Sequence, residues 1–437
     1  MDSTLHERPA ELLSRLIRFD TTNPPGAERE CLAFVDGLLR EAGIETRTVA
    51  KDPARPNLIA RLPGAGKAPP LLLQGHVDVV TTEGQDWSHP PFGGETADGF
   101  VWGRGALDMK GAVAMMTASV LRAKANGVEP PGDVVLCLMS DEEAGSDLGA
   151  RFLVEEHPEL FEGIRFAIGE FGGFNLDSGG TRLYPIMVAE KLNCWLRLTI
   201  RGPAGHASMP VRGGAMAELS RILRKLDRGR LPVHVTPVSR RMVRAIAEHS
   251  PPPARLLLEG LLRTPLTDRV IGLMGERGKL FDPLLHNTAS PTVVRAGAEI
   301  NVIPSEVTLD LDCRLLPGFE PGQAIAELRA LIGDSAEIEI VRADPVAPEA
   351  DLALFPVLAG ILAEADPGAH AIPNLLPAVT DGRFFARLGI QTYGFTPMRL
   401  PEGMSFTSLI HAADERIPVD AIEFGTAAIR KLLERFG

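Results

Sequence analysis

A histidine and a carboxylate stand two residues apart near the end of the apolar stretch from Leu71 to Val80. The stretch is too short to span a membrane and indicates a buried strand that presents His76 and Asp78. Because strand side chains alternate between faces, these two side chains point the same way. The pair either completes the strand with a local hydrogen bond or contributes to a metal or catalytic site, and other residues of the chain decide between the two.

Further side chains that could bind a metal or take part in catalysis follow predicted strands, precede a predicted helix or stand in a polar loop. Taken singly, Asp108 could cap a helix, Glu142 and Glu143 could be solvated turn charges, Glu170 could cap a loop, and His411 could be a structural histidine. Together they form a set of carboxylates and histidines at strand ends, with no cysteine placed to join them. Such a set suits zinc, cobalt or manganese.

Composition excludes several classes of function. The chain has 437 residues, enough for two or three domains of about 150 residues each, and 45% of them are hydrophobic. A net charge of −12 argues against nucleic-acid or anionic membrane partners. The four cysteines are scattered, the N-terminus lacks a signal-peptide core and no window is apolar enough to cross a bilayer. We therefore predict reduced, buried cysteines and a cytoplasmic protein.

The order of predicted elements indicates two kinds of domain. Helices and strands alternate at first, which is typical of an α/β protein with a central sheet flanked by helices. From about residue 191 the order strand–helix–strand–strand–helix–strand predicts a ferredoxin-like α+β domain, interrupted at about 236–290 by a helical insertion. We predict a discontinuous first domain, 1–190 and 346–437, and an inserted domain at 191–345. In such sheets, chemistry lies beyond the carboxyl ends of the strands.

Five motifs, in order along the chain, resemble the family of di-zinc exopeptidases and deacylases. They are GHVDVV at 75–80, GRGALDMKG at 103–111, DEEAG at 141–145, GHAS at 205–208 and NVIP at 301–304. The family includes glutamate carboxypeptidase, acetylornithine deacetylase, succinyl-diaminopimelate desuccinylase, aminoacylase and carboxypeptidase S. The resemblance covers nearly the whole chain and implies a zinc-exopeptidase-like mixed sheet, with the inserted domain acting as a lid.

The resemblance also implies a ligand set for two Zn²⁺ ions per chain, for which Co²⁺ or Mn²⁺ could substitute. Asp108 would bridge the two metals, with His76 and Glu170 completing one site and Glu143 and His411 completing the other. A shared carboxylate lowers the repulsion between two nearby cations and fixes their spacing.

Other matched positions receive roles by the same resemblance. Asp78 would orient His76 by accepting its second ring N–H, and Glu142 would be the general base. A cis peptide bond is expected between Asp108 and Met109. Three residues of the inserted domain match positions that contact the substrate, the first of them stabilising the oxyanion: His206, Asn301 and Arg314.

The predicted function is hydrolysis of an amide bond next to a free carboxylate, as a carboxypeptidase or dipeptidase acting on short peptides. The alternative is an N-acyl-amino-acid deacylase, because the insertion at about 236–290 most resembles the carboxypeptidase S and N-acyl-amino-acid hydrolase branch. Relatives often dimerise through the lid, so one expectation is a homodimer in which His206 acts across subunits. The alternative is that the insertion at about 236–290 covers that surface or folds over the active site of the same chain. A remote alternative is a non-catalytic binding protein on the same fold, which would be expected to have lost metal ligands.

Overall fold

The structure is a computed structural model, and it describes residues 4–178, 180–346 and 348–437. The chain divides into two compact units, and each unit combines segments that are distant in sequence. The boundaries at 190/191 and 345/346 stay a prediction about domains that fold independently. The first unit contains the chain up to Val188, Ala350–Asn374 and Thr380–Gly437, and the second contains Ala189–Glu349 and Leu375–Val379.

Strand composition follows burial. Leu71–His76 and Val134–Met139 are buried on both faces, and the second is wholly apolar, whereas Glu306–Leu315 alternates between buried and more exposed residues. The strands are β1 (Glu45–Asp52), β2 (Arg55–Leu62), β3 (Leu71–His76), β4 (Glu95–Ala97), β5 (Phe100–Trp102), β6 (Val134–Met139), β7 (Phe166–Gly169), β8 (Leu176–Ser178), β9 (Thr181–Glu190), β10 (Leu192–Arg201), β11 (Gly205–His206), β12 (Thr288–Ala296), β13 (Val302–Ile303), β14 (Glu306–Leu315), β15 (Ala336–Ala343), β16 (His370–Leu376), β17 (Gln391–Gly394) and β18 (Arg416–Pro418).

The helices differ in how much of their surface is buried. Lys110–Ala125 is buried on nearly every side, whereas Ala215–Arg228 buries one apolar face. The peptide bond between Asp108 and Met109, just before the first of these helices, is cis, as predicted. The helices are α1 (Pro9–Ile17), α2 (Arg29–Glu41), α3 (Lys110–Ala125), α4 (Ala150–Glu156), α5 (Ala215–Arg228), α6 (Pro237–Glu248), α7 (Pro252–Leu261), α8 (Thr267–Met274), α9 (Glu276–Lys279), α10 (Asp282–Leu285), α11 (Pro321–Ile332), α12 (Phe355–Ala365), α13 (Gly382–Phe385), α14 (Phe406–Leu409) and α15 (Val419–Arg435).

A nine-stranded sheet is the centre of the first unit, in the order β1-β2-β6-β3-β7-β17-β9-β16, with β8 paired to β9. The strands β6, β3, β7 and β17 run parallel, whereas β1, β2 and β9 pair with their neighbours in antiparallel fashion. Helix α3 packs against α1 and α15 on one face. On the other face, Phe152 of α4 and Phe384 of α13 pack with Leu72 and Val135. The predicted mixed central sheet with flanking helices is therefore confirmed.

The second unit contains an antiparallel sheet in the order β12-β14-β10-β15. With α5 and α11 between its strands, the chain follows the strand–helix–strand–strand–helix–strand order of a ferredoxin-like domain. The two helices share one core with the sheet, in which Leu219 and Leu328 pack with Leu196 and Leu309.

The helices α6 to α10 form a helical insertion between α5 and β12, and this insertion has a core of its own. Val243, Leu258 and Leu261 contribute to that core. The two ends of the insertion lie side by side, because Val233 forms a β-bridge with His286. The insertion therefore leaves and rejoins the second unit at adjacent points.

Two predictions from composition can be compared with the structure. All four cysteines are buried free thiols, as their apolar neighbours predicted. Within the described ranges, none of the helices combines the length and the apolar composition that a membrane crossing requires.

Candidate metal centre

Parallel strands bring the predicted metal ligands to one edge of the first unit's sheet. Strand β3 lies between β6 and β7, and its last residue, His76, pairs with Met139 at the end of β6. The 3₁₀ turn Glu142–Ala144 follows β6, and Glu170 directly follows β7. Because the carboxyl ends of parallel strands share an edge, side chains from distant segments meet here.

Two groups of side chains meet at this edge, and Asp108 belongs to both. One group is His76, Asp108 and Glu170, and the other is Asp108, Glu143 and His411. Asp108 Oδ1 lies 3.3 Å from His76 Nε2, and Asp108 Oδ2 lies 3.2 Å from His411 Nε2. Glu170 Oε2 lies 3.5 Å from His76 Nε2, and Glu143 Oε1 lies 3.3 Å from His411 Nε2. Asp108 thus presents one oxygen to each group.

These distances fit bound metal ions better than direct hydrogen bonds. A charge-assisted N–H···O hydrogen bond is about 2.7–2.9 Å long, whereas ligand atoms at about 2.0–2.1 Å from a tetrahedral zinc lie about 3.3 Å apart. Within the described ranges, His76 Nε2 and Glu143 Oε1 are buried without a hydrogen-bond partner, which is costly unless a ligand satisfies them. Imidazole and carboxylate are ligands that zinc accepts. The residues therefore fit one metal ion in each group.

Negative charge is in excess at this edge, because three carboxylates face two imidazoles. Hydrogen bonding to Asp108 and Glu143 raises the pKa of His411 to about 10. Burial raises the pKa of Glu170 to about 8. Without metal the site retains protons, and metal binding displaces protons from its ligands. Divalent cations would neutralise this excess of negative charge.

Asp78 connects the end of β3 to the glutamate turn. Its main-chain oxygen lies 3.0 Å from His76 Nδ1, closer than its carboxylate Oδ1 at 3.4 Å. The carboxylate accepts the N–H groups of Glu142 and Glu143, each at 3.1 Å, and the side-chain amide of Asn23 at 2.8 Å. Asp78 therefore holds the turn that carries both glutamates, in addition to contacting the His76 ring.

Glu142 is adjacent to the ligand groups but, among the described residues, is a member of neither. The preceding residue, Asp141, has a φ of 73°, in the left-handed region that aspartate tolerates better than most residues. Arg55 donates to the Asp141 carboxylate at 3.0 Å, and the N–H of Leu148 donates to it at 3.0 Å. Burial raises the pKa of Glu142, and the charge of Glu170 raises it further.

A buried carboxylate that the sequence analysis did not single out holds the loop before Asp108. Glu415 accepts the N–H groups of Gly105 at 3.1 Å, Leu107 at 2.7 Å and Asp108 at 3.1 Å. The guanidinium of Arg104 donates to the same carboxylate at 2.8 Å, and both side chains are at most 1% exposed. Glu415 therefore fixes the backbone from which the shared ligand projects.

Arg104 extends this network to the loop of the second histidine. It donates to the main-chain oxygens of His411 at 3.3 Å and Ala412 at 3.0 Å, and to Gln85 Oε1 at 2.7 Å. Arg104 lies inside the glycine-rich motif, and Glu415 follows His411 by four residues. The two segments are far apart in sequence, so no local pattern in either of them predicts that Arg104 and Glu415 form an ion pair.

His206 and Asn301 lie together in the second unit. Strand β11 pairs His206 with Val302, and the main-chain oxygen of Asn301 accepts the N–H of Ala207 at 3.0 Å. The backbone N–H of Ser208, which can only donate, lies 3.2 Å from His206 Nδ1. Nδ1 is therefore an acceptor, and the neutral ring carries its proton on Nε2. The His206 side chain is exposed, so this N–H is available to a ligand.

Arg314 lies in another part of the second unit. It is near the end of β14, about 27 Å along the strand from Glu306 at a rise of about 3.4 Å per residue. The short pair of strands β11 and β13, which contains His206, follows the Glu306 end of this strand. The Arg314 guanidinium donates to the carboxylate of Asp312 at 2.8 and 2.9 Å. The structure thus brings His206 and Asn301 together and places Arg314 at the opposite end of the sheet.

Comparisons with known proteins identify the family of the chain. The family model described as "Peptidase family M20/M25/M40" matches residues 72–435. "Probable carboxypeptidase S-like 2" of Dictyostelium discoideum is 29% identical over 369 residues, 80% of this chain and 68% of that protein. "N-fatty-acyl-amino acid synthase/hydrolase PM20D1" of Xenopus tropicalis is 27% identical over 376 residues, 81% of this chain and 70% of that protein. The M20 family metallo-carboxypeptidase Sso-CP2 from Sulfolobus solfataricus shares the fold, with a TM-score of 0.71, 16% identity and coverage of 97% of this chain and 98% of that chain.

The matched span begins in β3 and ends in α15, so it contains every residue of the two ligand groups. It also contains the substrate-contact positions predicted in the second unit. The resemblance inferred from the motifs is confirmed: the chain belongs to peptidase family M20/M25/M40 and is a metal-dependent hydrolase.

Proposed function

We propose that the protein is a di-zinc hydrolase that cleaves an amide bond next to a free carboxylate, as a carboxypeptidase or dipeptidase acting on short peptides. The observation that carries the proposal is the sharing of Asp108 by two ligand groups. His76 and Glu170 would complete one zinc site, and Glu143 and His411 the other, with Co²⁺ or Mn²⁺ as substitutes. When bound, two such ions polarise a carbonyl and lower the pKa of water.

Glu142 is the proposed general base. It lies next to the ligand Glu143 on the turn held by Asp78, so its carboxylate is close to the metals without being used as a ligand. Glu142 takes a proton from the attacking water and returns it to the amine nitrogen that leaves. Asp78 keeps Glu142 in position through the 3.1 Å hydrogen bond to its N–H.

Arg314 is the proposed binding group for the free carboxylate of the substrate, since a guanidinium binds a carboxylate through two parallel hydrogen bonds. Asp312 now occupies that fork. Both side chains are about a third exposed, at 26% and 32%. An ion pair with this exposure is worth about 1 kcal/mol or less, so a substrate carboxylate can replace Asp312 at little cost.

His206 is the proposed hydrogen-bond donor to the oxyanion, and Asn301 is its neighbour at the same carbonyl. In the substrate this carbonyl and the terminal carboxylate are separated by one residue, about 4 Å of backbone. About 27 Å of β14 lies between Glu306 and Arg314, so one copy of the second unit cannot supply both contacts to one substrate. We therefore propose a homodimer in which His206 and Asn301 act in the partner's site and Arg314 acts in its own.

Zinc reconstitution tests the proposed reaction. Chelated protein is reloaded with zinc and assayed on dipeptides and N-acyl amino acids, and we expect two zinc ions per chain and metal-dependent turnover. Glu142→Gln should retain zinc and lose turnover by about 10²–10⁴-fold. Glu156→Gln, at an exposed position on α4, is the control and should retain activity. Zinc-loaded protein that turns over none of these substrates would contradict the proposal. Absence of zinc after growth in zinc-replete medium would favour the binding-protein alternative.

A mixing experiment tests the homodimer. Glu142→Ala and His206→Ala are each expected to lose at least about 10²-fold in turnover alone. In a mixed dimer, one site combines Glu142 of the second variant with His206 of the first, so mixing should restore part of the activity. Persistent inactivity after subunit exchange has been verified would contradict action across subunits.

The second candidate function is deacylation of N-acyl amino acids, which is favoured by the similarity to the N-fatty-acyl-amino acid synthase/hydrolase of Xenopus tropicalis. Such substrates also carry a free carboxylate next to the scissile amide, so the proposed roles of Arg314 and Glu142 are unchanged. The ratio of kcat/KM for a dipeptide and an N-acyl amino acid with the same C-terminal residue separates the two functions.

A cytoplasmic location remains part of this proposal. The buried free thiols at Cys31, Cys137, Cys194 and Cys313 are what a reducing compartment favours. Fractionation of the source cells, with a marker enzyme for each compartment, tests the location directly.

A further inference from the structure

We infer that the helical insertion binds a small multivalent anion in a cleft between α6 and α7. The cleft has a volume of about 390 Å³, and its lining includes Arg240, Arg244, Arg255 and Arg263. This volume is within the range of small-molecule sites. None of these residues belongs to the ligand groups of the metal centre. The cleft is therefore lined by residues other than the proposed metal ligands.

The arginines converge because two helix faces meet at the cleft. Arg240, Arg244 and Glu248 follow one another at intervals of four residues on α6, and Arg255 and Glu259 do so on α7. Side chains four residues apart lie on the same face of a helix. The two helices share the core of the insertion, which fixes them against each other. The positive charges are thus held by regular, packed backbone.

The protein balances only part of the positive charge of the cleft, because four arginines and two glutamates line it. Arg255 pairs with Glu259 at 2.9 Å. Within the described parts of the chain, the guanidinium groups of Arg240, Arg244 and Arg263 have neither an ion pair nor a hydrogen bond. Like charges four residues apart on a helix repel each other, and among the described residues Glu248 forms no ion pair with Arg244, so Arg240 and Arg244 are unfavourable neighbours without a bound anion.

The sign of this region is opposite to that of the whole protein. Between residues 236 and 290 there are eight basic and five acidic residues, whereas the chain carries a net charge of −12. A local positive patch on an acidic protein raises the local concentration of anions. The overall composition of the chain therefore does not explain the positive patch, whereas binding of an anionic ligand would explain it.

The arrangement selects the class of ligand. Each planar guanidinium can bind a carboxylate or phosphate through two hydrogen bonds. A single carboxylate neutralises one guanidinium, so three unpaired ones call for an anion with at least two negative charges. Ala247 and Leu262 also line the cleft and can contact a carbon skeleton. Phosphate esters and polycarboxylates share this chemistry.

Calorimetric titration of the full-length, metal-loaded protein tests the site. Glucose 6-phosphate represents phosphate esters and tricarballylate represents polycarboxylates, each at physiological salt. We expect saturable binding of at least one probe, with a Kd below about 1 mM, and the probe that binds identifies the source of the negative charge. The double variant Arg240→Ala/Arg244→Ala should weaken this binding at least about tenfold. Arg241→Ala is the matched control, because Arg241 lies on the same helix and is exposed but does not line the cleft.

Absence of saturable binding for both probes would overturn the inference, and so would equal affinity in the wild type and the double variant. Equal weakening by Arg241→Ala would reduce the effect to general charge and would also overturn it. Circular dichroism verifies that each variant is folded. If the double variant is not, Arg263→Gln provides the second test, because Arg263 lies beyond the end of α7. The readout is binding, so failure of the proposed hydrolysis would leave this result interpretable.

Discussion

The shared ligand Asp108 of the first unit and the proposed substrate contacts of the second unit are held in opposite ways. Asp108 stands on a loop whose N–H groups are held by the buried Glu415. His206 and Asn301, in contrast, are exposed, and His206 lies on a strand of two residues. The buried ligand group at the ends of β3 and β7 is fixed before a metal binds, whereas the side chains proposed to meet the substrate have little protein around them.

This difference has an energetic meaning. A buried carboxylate among backbone donors and a guanidinium is part of the folding free energy, so its loss should change stability and metal affinity together. An exposed histidine contributes little to folding, so its loss should change catalysis alone. The two regions can therefore be distinguished by measuring zinc content, melting temperature and kcat/KM for the same set of variants.

The largest effect is expected for Asp108→Asn. Asp108 belongs to both ligand groups, and a neutral amide binds zinc poorly, so both sites should be weakened at once. We expect zinc content to fall below one ion per chain and turnover to fall below detection, as measured by metal analysis and steady-state kinetics. Asp86→Asn, at an exposed position, should keep both. Retention of two zinc ions by Asp108→Asn would contradict a shared ligand.

The next largest effect is expected for His206→Ala. Loss of one donor to an oxyanion costs about 10²–10³-fold in rate, so kcat/KM should fall by that factor. Zinc content and melting temperature should not change, because the side chain is exposed and, among the residues that the structure describes, its ring bonds only to Ser208 in its own turn. A lower melting temperature of His206→Ala would contradict the expectation that the exposed side chains contribute to catalysis and not to folding.

Glu415→Gln is expected to act on the metal centre from outside the ligand set. The amide keeps the size of the side chain but removes the charge that Arg104 pairs with in a buried environment. We expect zinc affinity to fall by about 10–100-fold, together with a lower melting temperature. Glu423→Gln is the control, because the side chain of Glu423, which pairs with Arg122, is 53% exposed. Unchanged zinc affinity would show that Glu415 has a purely structural role.

The smallest effect is expected for a buried lysine in the second unit. Burial and the charge of Arg314 together lower the pKa of Lys191 to about 7. Between pH 7 and about 10 the unfolded chain holds a proton on this lysine that the folded chain has released. The contribution of this lysine to the free energy of unfolding therefore rises with pH, by about 2–3 kcal/mol from pH 7 to pH 9. The melting temperature of the wild type relative to Lys191→Met should therefore rise over that range. The exposed Lys279→Met should show no such trend.

Sequence reasoning went furthest where residue type and strand position together carry the chemistry. His76, Glu143 and Glu170 lie at or just beyond the ends of predicted strands, and the parallel sheet brings them to one edge. The order of elements was also sufficient for the ferredoxin-like pattern of the second unit. In both cases the signal is local, because hydrophobic period and turn residues determine it.

The supporting network could not be predicted in this way. Glu415 and Arg104 belong to separate loops, and each resembles an ordinary solvated charge in its own segment. The positions of His206 and Arg314 at opposite ends of the sheet depend on strand register, which single-sequence patterns do not specify. Pairing across distant segments is a property of the folded chain and has no local signature.

The β-bridge between Val233 and His286 has a consequence for the history of the second unit. The segment between these residues packs around a core of its own, and its two ends are joined where it departs from the sheet domain. Such a segment can be gained, lengthened or removed without changing the register of β12 and β14. A variant in which a short turn replaces residues 236–283 should therefore keep the four-stranded sheet, and this part of the gene could diverge in length between relatives while the residues around the metals stay constrained.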